Sequence, residues 1–480
     1  MNLTSLQKKT ESCEKMKTYI DHFKEMCKIP HGSGNTKAMS DYFESFAKAH
    51  SLRFIREECG NVIIFKSATK GYEKSEPVIL QGHLDMVCVS DGKTEIDFET
   101  EGLTVCEDED FIFAKGTSLG GDDGIAGAYA LEILSREDIP HPALEVVLTV
   151  DEETGMDGAN ALDVSNLKGR LLINLDSEEE GTLLSSCAGG IRADTEIAFS
   201  AEKTTKKTVK ISVSSLAGGH SGTEIDKHRQ NAAVLLASLL KKADVKRIAA
   251  FEAGNADNAI PFFASCVIEE EEEKPQKLSA LFESAKKDFC NEDKKAFLSF
   301  ESSNCTALLC ERDSLRVLSY ITNVENGVVS MSKNVPGLVQ TSLNLGVVKT
   351  EKAKVLLSHA LRSSVNAERA ELEKSVAAAA KSLGAKTSFH SGYPAWEFFE
   401  NSKLQKIFCE AYRELFKKEM AVSAIHAGLE CGILSGKIKN LDCVSLGPDI
   451  FDIHSADERL SKKSAERTFS LLLSVLKKLR

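Results

Sequence analysis

From about residue 61 to residue 187, short apolar runs alternate with longer amphipathic segments. Runs such as PVIL, EVVLTV and LLIN are bounded by glycine, proline and aspartate, a pattern typical of buried strands in an α/β sheet. Between two of these runs, GIAGAYALEILSRE at residues 124–137 has the apolar spacing of a helix. Strands that alternate with helices predict a layered α/β domain.

Both ends of the chain have a helical pattern. Residues 1–60 predict two helices around the turn PHGSGNT, in which Ser33 or Asn35 can cap the second helix. A phosphate-binding loop is not expected at that turn, because no strand precedes it and the P-loop pattern is absent. At the other end, AERTFSLLLSVLKKLR has apolar residues at helical spacing and predicts a final helix.

The middle of the chain has a different pattern of strands, helices and acidic residues. After SSCAGGIRADTEIAF the strands become longer, the helices are amphipathic, and no acidic cluster follows a strand. This block ends near residue 390, where SGYPAWEFFE marks a return to the first pattern. The sequence therefore predicts a first domain built from residues 1–187 and 391–480, with residues 188–390 inserted as a second domain.

Composition narrows the class of protein. Apolar residues make up 42% and charged residues 28% of the 480 residues, which is typical of a globular protein. No apolar run is long enough for a membrane helix, and the polar N-terminal sequence lacks the apolar core of a secretory signal. Thirteen cysteines without a C-x-x-C pair indicate reduced thiols, so we expect a cytoplasmic protein. The net charge of -12 argues against nucleic acid as a partner.

Five clusters of acidic or imidazole side chains carry the candidate chemistry. Four of the clusters follow a short apolar run, and open α/β sheets bind their ligands beyond the carboxyl ends of the strands. Histidine, aspartate and glutamate gathered at one edge are the usual ligands of a metal site. The clusters are His83 with Asp85, Asp122 with Asp123, Glu152 with Glu153, Asp176, and His454.

Each cluster also has a structural interpretation. His83 can bind metal while Asp85 accepts its other ring N–H, although a single His-x-Asp is weak evidence. Asp122 is favoured as a ligand in its glycine-rich loop, whereas Asp123 is better explained as a helix N-cap. Two adjacent carboxylates, Glu152 and Glu153, repel one another at a buried strand end unless a cation or a proton-transfer role is present. Taken together, the five clusters predict a metal-dependent hydrolase.

Nine motifs resemble one family of enzymes across residues 81–459. The motifs are LQGHLDMV, KGTSLGGDDGIAGA, TVDEETGMDGA, LINLDSEEEG, SSCAGG, GNADNAIP, QTSLNLGVV, HAGLECG and DIHSADER. In order and spacing they resemble the dinuclear zinc dipeptidases of the aminoacylase and carboxypeptidase superfamily, in particular its aminoacyl-histidine or cytosolic non-specific dipeptidase branch. The resemblance implies a zinc-exopeptidase-like layered α/β catalytic domain with an inserted α+β lid domain.

The resemblance also implies a role for each candidate at the metal site. Two Zn2+ ions are expected, and Co2+ or Mn2+ suits the same ligands. A water between the ions would attack the peptide bond after losing a proton to the general base. The implied roles are Asp122 as the bridging ligand, His83 and Asp176 on one ion, Glu153 and His454 on the other, Glu152 as general acid/base, and Asp85 as the orienting carboxylate.

Three residues of the middle block are candidates for binding the rest of the substrate. His220 lies in a glycine-rich turn and, given the resemblance, can donate to the tetrahedral oxyanion; the turn alone favours an ordinary exposed histidine. Arg362 and Asn258 are candidates for the C-terminal carboxylate of a peptide, because arginine forms paired hydrogen bonds with carboxylates. An ordinary surface ion pair is the alternative for Arg362.

Several functions fit this inventory. The favoured function is hydrolysis of dipeptides, either Xaa-His or of broad specificity, by a homodimer whose domains close on a small peptide. An N-acyl amino acid deacylase or a carboxypeptidase on the same scaffold is the first alternative. A catalytically silent peptide-binding homologue is less favoured because every proposed ligand and the proposed base are present. A two-metal phosphoesterase is disfavoured by the acidic charge.

Overall fold

The computed structural model describes residues 17–333, 335 and 337–480. Residues 1–16, part of the predicted N-terminal helical region, lie outside the described residues. The helices within the described chain are α1 Tyr19–Met26, α2 Lys37–Ala49, α3 Gly121–Ser135, α4 Glu152–Gly155, α5 Asp157–Ala161, α6 Ala232–Lys242, α7 Lys274–Lys286, α8 Glu311–Asn323, α9 Asn366–Ser382, α10 Lys403–Phe416, α11 Glu430–Lys437 and α12 Lys462–Lys478. None of these helices meets the length and apolar character that a membrane crossing requires.

Within the described residues the strands belong to five sheets. The strands are β1 Arg53–Arg56, β2 Val62–Lys66, β3 Val78–His83, β4 Val105–Glu107, β5 Phe111–Ala114, β6 Leu144–Thr149, β7 Leu171–Asn174, β8 Thr182–Cys187, β9 Gly189–Ala198, β10 Ala201–Lys203, β11 Thr208–Ser214, β12 Gly219–His220, β13 Ile248–Ala253, β14 Ala259–Ile260, β15 Ala264–Glu269, β16 Phe297–Ser303, β17 Ala307–Leu309, β18 Gly327–Met331, β19 Val339–Thr350, β20 Lys354–Ser363, β21 Lys386–Tyr393, β22 Ala421–Ile425, β23 Asp442–Ser445, β24 Ile450–Phe451 and β25 Arg459–Ser461.

The chain divides into two compact units. Among the described residues, unit 1 contains residues 17–183, 401–422 and 437–480, and unit 2 contains those of 184–400 and 423–436. Strands β8 and β22 cross the division between the units. The domain boundaries drawn from the sequence at 187/188 and 390/391 stay a prediction.

Unit 1 is built on a mixed sheet with the strand order β1-β2-β6-β3-β7-β23. Strand β3 is parallel to β6 and β7, and β23 is parallel to β7, whereas β1 and β2 are antiparallel. All side chains of β3, β6, β7 and β23 are buried, as expected of strands covered on both faces. Helix α3 is apolar and buried nearly all round, so it lies within the core of the unit.

Unit 2 is built on an antiparallel sheet with the order β16-β11-β15-β13-β19-β20-β9-β21, in which β18 also pairs with β19. Helices α6, α7 and α8 contribute buried apolar residues, including Leu236, Phe282 and Leu318, to one core with this sheet. An antiparallel sheet with its own helices and core is an α+β domain. The predicted fold class, a layered α/β domain with an α+β domain inserted, is confirmed.

One local prediction is wrong. The second helix, α2, begins after Thr36 and has no side-chain hydrogen bond at its cap. Ser33 instead donates to Asp85 over 2.8 Å, and Asn35 donates to the carbonyl of Glu99 over 3.0 Å. The side chains of Ser33 and Asn35 therefore make long-range contacts, which the local capping pattern did not reveal.

Candidate metal centre

Four parallel strands of unit 1 end at the same edge of the sheet. His83 is the last residue of β3, and it lies opposite Thr149, the last residue of β6. Glu152 and Glu153 follow β6, and Asp176 follows β7. The loop after β23 leads to β24 and then to His454. The topology therefore brings these candidate residues to one edge, as the sequence predicted.

Asp122 faces two imidazoles with its two carboxylate oxygens. Its Oδ1 lies 3.1 Å from Nε2 of His83, and its Oδ2 lies 3.3 Å from Nε2 of His454. Asp122 is the second residue of α3, although its own backbone conformation is not helical. A carboxylate between two imidazoles is the arrangement required of a ligand that bridges two ions.

The remaining candidate ligands complete two groups around Asp122. Oδ1 of Asp176 lies 3.7 Å from Nε2 of His83, and Oε1 of Glu153 lies 2.8 Å from Nε2 of His454. Within each of two sets of side chains, the donor atoms all lie within 4.8 Å of one another. The sets are His83 with Asp122 and Glu153, and His83 with Asp123 and Asp176. All five residues predicted as ligands are thus close together in unit 1.

The two imidazoles of the centre are held among carboxylates. Burial lowers the pKa of His83, but hydrogen bonds to Asp122, Asp176 and Asp85 outweigh burial and raise it well above its ordinary value. Hydrogen bonds to Asp122 and Glu153 raise the pKa of His454 to about 10. The surroundings therefore favour positive charge at both imidazoles.

The carboxylates respond to the same crowding. Burial and the neighbouring carboxylates Asp176, Glu153 and Asp122 raise the pKa of Glu152 to about 8. Burial, opposed by a hydrogen bond to His83, raises the pKa of Asp176 to about 8. Such crowding is unfavourable for carboxylates alone and favourable around a divalent cation. The mixed nitrogen and oxygen donors fit Zn2+, Co2+ or Mn2+.

Asp85 is buried beside the centre and contacts residues that belong to it. Its Oδ1 lies 3.4 Å from Nδ1 of His83, and the backbone carbonyl of Asp85 lies 3.0 Å from the same nitrogen. The same carboxylate accepts the backbone N–H groups of Glu152 over 3.0 Å and Glu153 over 3.3 Å. Asp85 therefore contacts His83 and also holds the turn that carries Glu152 and Glu153. The sequence indicated only the first of these contacts.

Asp123 is not the helix cap that its position suggested. The cap position of α3 is Gly120, and no side chain caps the helix there. The buried carboxylate of Asp123 accepts the backbone N–H of His83 over 3.2 Å. Burial and the nearby Asp176 raise the pKa of Asp123 well above its ordinary value. The contact joins α3 to the end of β3, and the sequence offered no signal for it.

The three candidate substrate binders lie in unit 2. The backbone N–H of Thr223 donates to Nδ1 of His220 over 3.2 Å, so the proton of the neutral ring is on Nε2. Arg362 is 6% exposed and donates from Nη1 to the hydroxyl of Tyr393 over 3.0 Å. Asn258 joins the His220 turn through its backbone carbonyl, which accepts the N–H of Ser221 over 2.8 Å.

A second histidine, missed from the sequence, completes this group. A Cβ atom at Gly222 would lie 3.0 Å from Cε1 of His220, 3.3 Å from Cζ of Arg362 and 2.5 Å from the carbonyl oxygen of His426. His426 is buried, and its Nε2 lies 2.7 Å from Oγ of Ser342. Burial and Arg362 lower its pKa to about 3. The motif HAGLECG was noted in the sequence, but only the fold places its histidine beside Arg362.

Comparison with known proteins agrees with these features. The chain is similar to the cytosol non-specific dipeptidase of Escherichia coli (strain K12), with 35% identity over 470 residues that cover 96% of this chain and 97% of that protein. It is similar in structure to aminoacylhistidine dipeptidase from Vibrio alginolyticus, with a TM-score of 0.89, 32% identity and 96% of both chains covered. The aminopeptidase PepT from Bacillus cereus ATCC 10987 shares the fold, with a TM-score of 0.58, 15% identity, and 97% of this chain and 99% of that chain covered.

The family match extends over most of the chain. Residues 79–478 match Peptidase family M20/M25/M40, and this range includes every candidate residue of both units. The resemblance inferred from the nine motifs is confirmed by this match and by the two dipeptidases. The chain belongs to Peptidase family M20/M25/M40.

Proposed function

We propose that this protein is a metal-dependent dipeptidase that hydrolyses the peptide bond of dipeptides. The observation that carries the proposal is the position of Asp122, whose two oxygens face the imidazoles of His83 and His454. A carboxylate in this position would be a ligand shared by two ions. Two similar proteins, from Escherichia coli and Vibrio alginolyticus, are named as dipeptidases.

The ligands divide into two sets that share Asp122. His83 and Asp176 would hold one ion, and Glu153 and His454 would hold the other. This division is supported by the shorter distances, which pair His83 with Asp176 and His454 with Glu153. We propose Zn2+ at both positions because its usual donors are present, and Co2+ or Mn2+ would suit the same donors.

The bound ions would supply a water of lowered pKa and would polarise the scissile carbonyl. Glu152 would take the proton of that water and then give it to the leaving amine. The crowded carboxylates that raise the pKa of Glu152 to about 8 are consistent with a group that gains and loses a proton near neutral pH. The N–H of Glu152, bound to Asp85, would keep the base at a constant position.

Unit 2 would bind the carboxylate end of the substrate. The guanidinium of Arg362 is buried, and within the described residues its Nε has no hydrogen-bond partner. A buried cation with a free donor is suited to a carboxylate ligand. His220 would donate its Nε2 proton to the oxyanion, and Asn258 would assist as a second polar contact.

The same proposal includes wider properties of the protein. We propose a homodimer, located in the cytoplasm, with Xaa-His or broad dipeptide specificity. The names of the two similar dipeptidases support the specificity and the location. The twelve cysteines of the described chain form no disulfide with one another, which is consistent with a reducing compartment. The closure of the two domains on the substrate stays a prediction.

The test compares the wild type with Glu152→Ala for both metal content and dipeptide hydrolysis. We expect about two ions per chain in both proteins, with kcat lowered roughly 10²–10⁴-fold in the variant. Wild-type protein that binds metal but cleaves only acylated amino acids would replace the dipeptidase with a deacylase. Folded wild-type protein that binds no metal and cleaves nothing would refute the enzyme function.

A further inference from the structure

We propose that Glu458 is a positioning residue that ties the loop before Asp122 to the segment carrying His454, and so sets the geometry of the metal centre. The inference rests on the proposed metal site, in which Asp122 and His454 are ligands. Glu458 has no role in the chemistry described above. Within the described residues its carboxylate forms no hydrogen bond or ion pair with either ligand side chain, so it would act through the backbone.

Three consecutive backbone N–H groups donate to Glu458. Leu119 and Gly120 donate to Oε2 over 2.8 and 3.1 Å, and Gly121 donates to Oε1 over 2.8 Å. The side chain is only 3% exposed. Burial raises the pKa of Glu458, and the three N–H groups oppose that rise. Hydrogen bonds from N–H groups to a buried carboxylate are stronger than those between neutral groups.

The glycines of this loop make the arrangement possible. Gly120 has φ 68°, a left-handed conformation that lets successive N–H groups point into one concave site for an anion. A Cβ atom at Gly121 would lie 3.2 Å from Oε1 of Glu458, closer than a comfortable contact. The GG of the LGGDDG motif therefore fits a loop that wraps closely around a carboxylate from elsewhere in the chain.

The partners of this contact lie beside two candidate ligands. Asp122 directly follows Gly121, and His454 precedes Glu458 by four positions, although Gly121 and Glu458 are 337 positions apart. Oδ2 of Asp122 lies 3.3 Å from Nε2 of His454. A small shift between the two segments would change that distance directly.

The segment carrying His454 needs an anchor. His454 has φ 58°, a left-handed conformation that is unfavourable for a residue with a Cβ. Its side chain is 43% exposed, so packing alone holds it weakly. Glu458 immediately precedes β25, which pairs with β5 upstream of the glycine loop. The carboxylate of Glu458 thus adds a second link between the segments already joined by the β5–β25 pairing, and this link lies next to Asp122.

Glu145 provides a matched control within unit 1. Its buried carboxylate accepts the N–H of Lys168 over 2.9 Å and the N–H of Gly169 over 3.0 Å. Glu145 lies near the start of β6, whereas Glu152 and Glu153 follow the end of that strand. Loss of either buried carboxylate should lower stability, but only loss of Glu458 should change the metal centre.

The experiment uses the full chain with the substitutions Glu458→Gln and Glu145→Gln. Glutamine keeps the size of the side chain, but its NH2 group cannot accept an N–H. The measurements are Co2+ titration followed by absorption spectra, thermal unfolding, and kcat and KM for a dipeptide. We expect Glu458→Gln to weaken Co2+ binding about 10- to 100-fold and to change the Co2+ spectrum. Glu145→Gln should lose stability while keeping wild-type Co2+ affinity and spectrum.

Either of two results with the glutamine variants would overturn the inference. One is wild-type Co2+ affinity and spectrum in folded Glu458→Gln, and the other is an equal loss of affinity in both variants. Should Glu458→Gln fail to fold, Glu458→Asp replaces it, because aspartate keeps the charge but shortens the reach; unchanged Co2+ affinity in that variant also overturns the inference. Wild-type protein that binds no Co2+ or Zn2+ would instead refute the proposed metal site.

Discussion

Replacement of Asp85 by asparagine tests the support behind the proposed base. The carboxylate of Asp85 accepts the N–H groups of Glu152 and Glu153 and the hydroxyl of Ser33, over 3.0, 3.3 and 2.8 Å. It also lies 3.4 Å from Nδ1 of His83. One carboxylate therefore holds the positions of the proposed base, one candidate ligand of each ion, and the PHGSGNT turn.

The size of the effect follows from these contacts. In Asp85→Asn one carboxylate oxygen becomes an NH2 group, so the N–H of either Glu152 or Glu153 faces a donor. A buried donor without an acceptor costs about 1–3 kcal/mol. If the turn moves to relieve that cost, kcat/KM should fall about 5- to 150-fold, because each ~1.4 kcal/mol in the barrier is a factor of ten.

The assay is dipeptide hydrolysis with metal content measured on the same samples. Asp163→Asn serves as the control, because Asp163 also accepts a backbone N–H, that of Ser165 over 2.9 Å, on the surface of unit 1. We expect the control to keep wild-type kcat/KM. A folded Asp85→Asn enzyme within about threefold of the wild type would refute the reasoning, since it would show that the turn is held by other contacts.

Three further predictions concern separate parts of the molecule. His454→Ala should lower bound metal from about two ions to about one per chain by elemental analysis, because Glu153 loses its neighbouring donor; two retained ions would contradict the ligand assignment. Arg362→Lys should raise KM for dipeptides about tenfold with a smaller change in kcat, since lysine cannot form the paired contact; an unchanged KM would exclude Arg362 from substrate binding. Burial lowers the pKa of His359 from its ordinary value of 6.5 to about 4. Between these two pH values the histidine is protonated in the unfolded chain but neutral in the folded one, so stability falls as the pH falls. Urea unfolding should therefore show stability falling by about 2–3 kcal/mol from pH 7 to pH 4.5, with a smaller fall in His359→Phe; equal falls would argue against this effect.

The strands that carry the centre could be predicted from the sequence. Buried parallel strands are apolar on both faces, so β3, β6 and β7 appeared as short apolar runs. The final helix was equally clear, because Ala465, Phe469, Leu472 and Leu476 lie on its buried face. Candidate ligands directly after such strands were visible because the topology of an α/β sheet brings strand ends together.

The substrate-binding group of unit 2 was only partly visible. His220 and Arg362 were selected by the resemblance, whereas His426 was not selected at all. His426 lies in residues 423–436, a segment in which the chain returns to unit 2 after a stretch of unit 1. No periodicity in a sequence reports such a return, because the contact depends on the path of the whole chain.

By itself, then, the sequence determined the fold class, the family and the residue types of the metal centre, since these depend on local pattern and on motifs of fixed spacing. Tertiary structure alone decided which oxygen of Asp122 faces which imidazole, and that Asp123 binds the backbone of His83. It also decided that Ser33 and Glu458 support the centre. Each of these contacts joins residues far apart in the chain through a loop conformation, and the energy that selects it arises only when the loops are packed together.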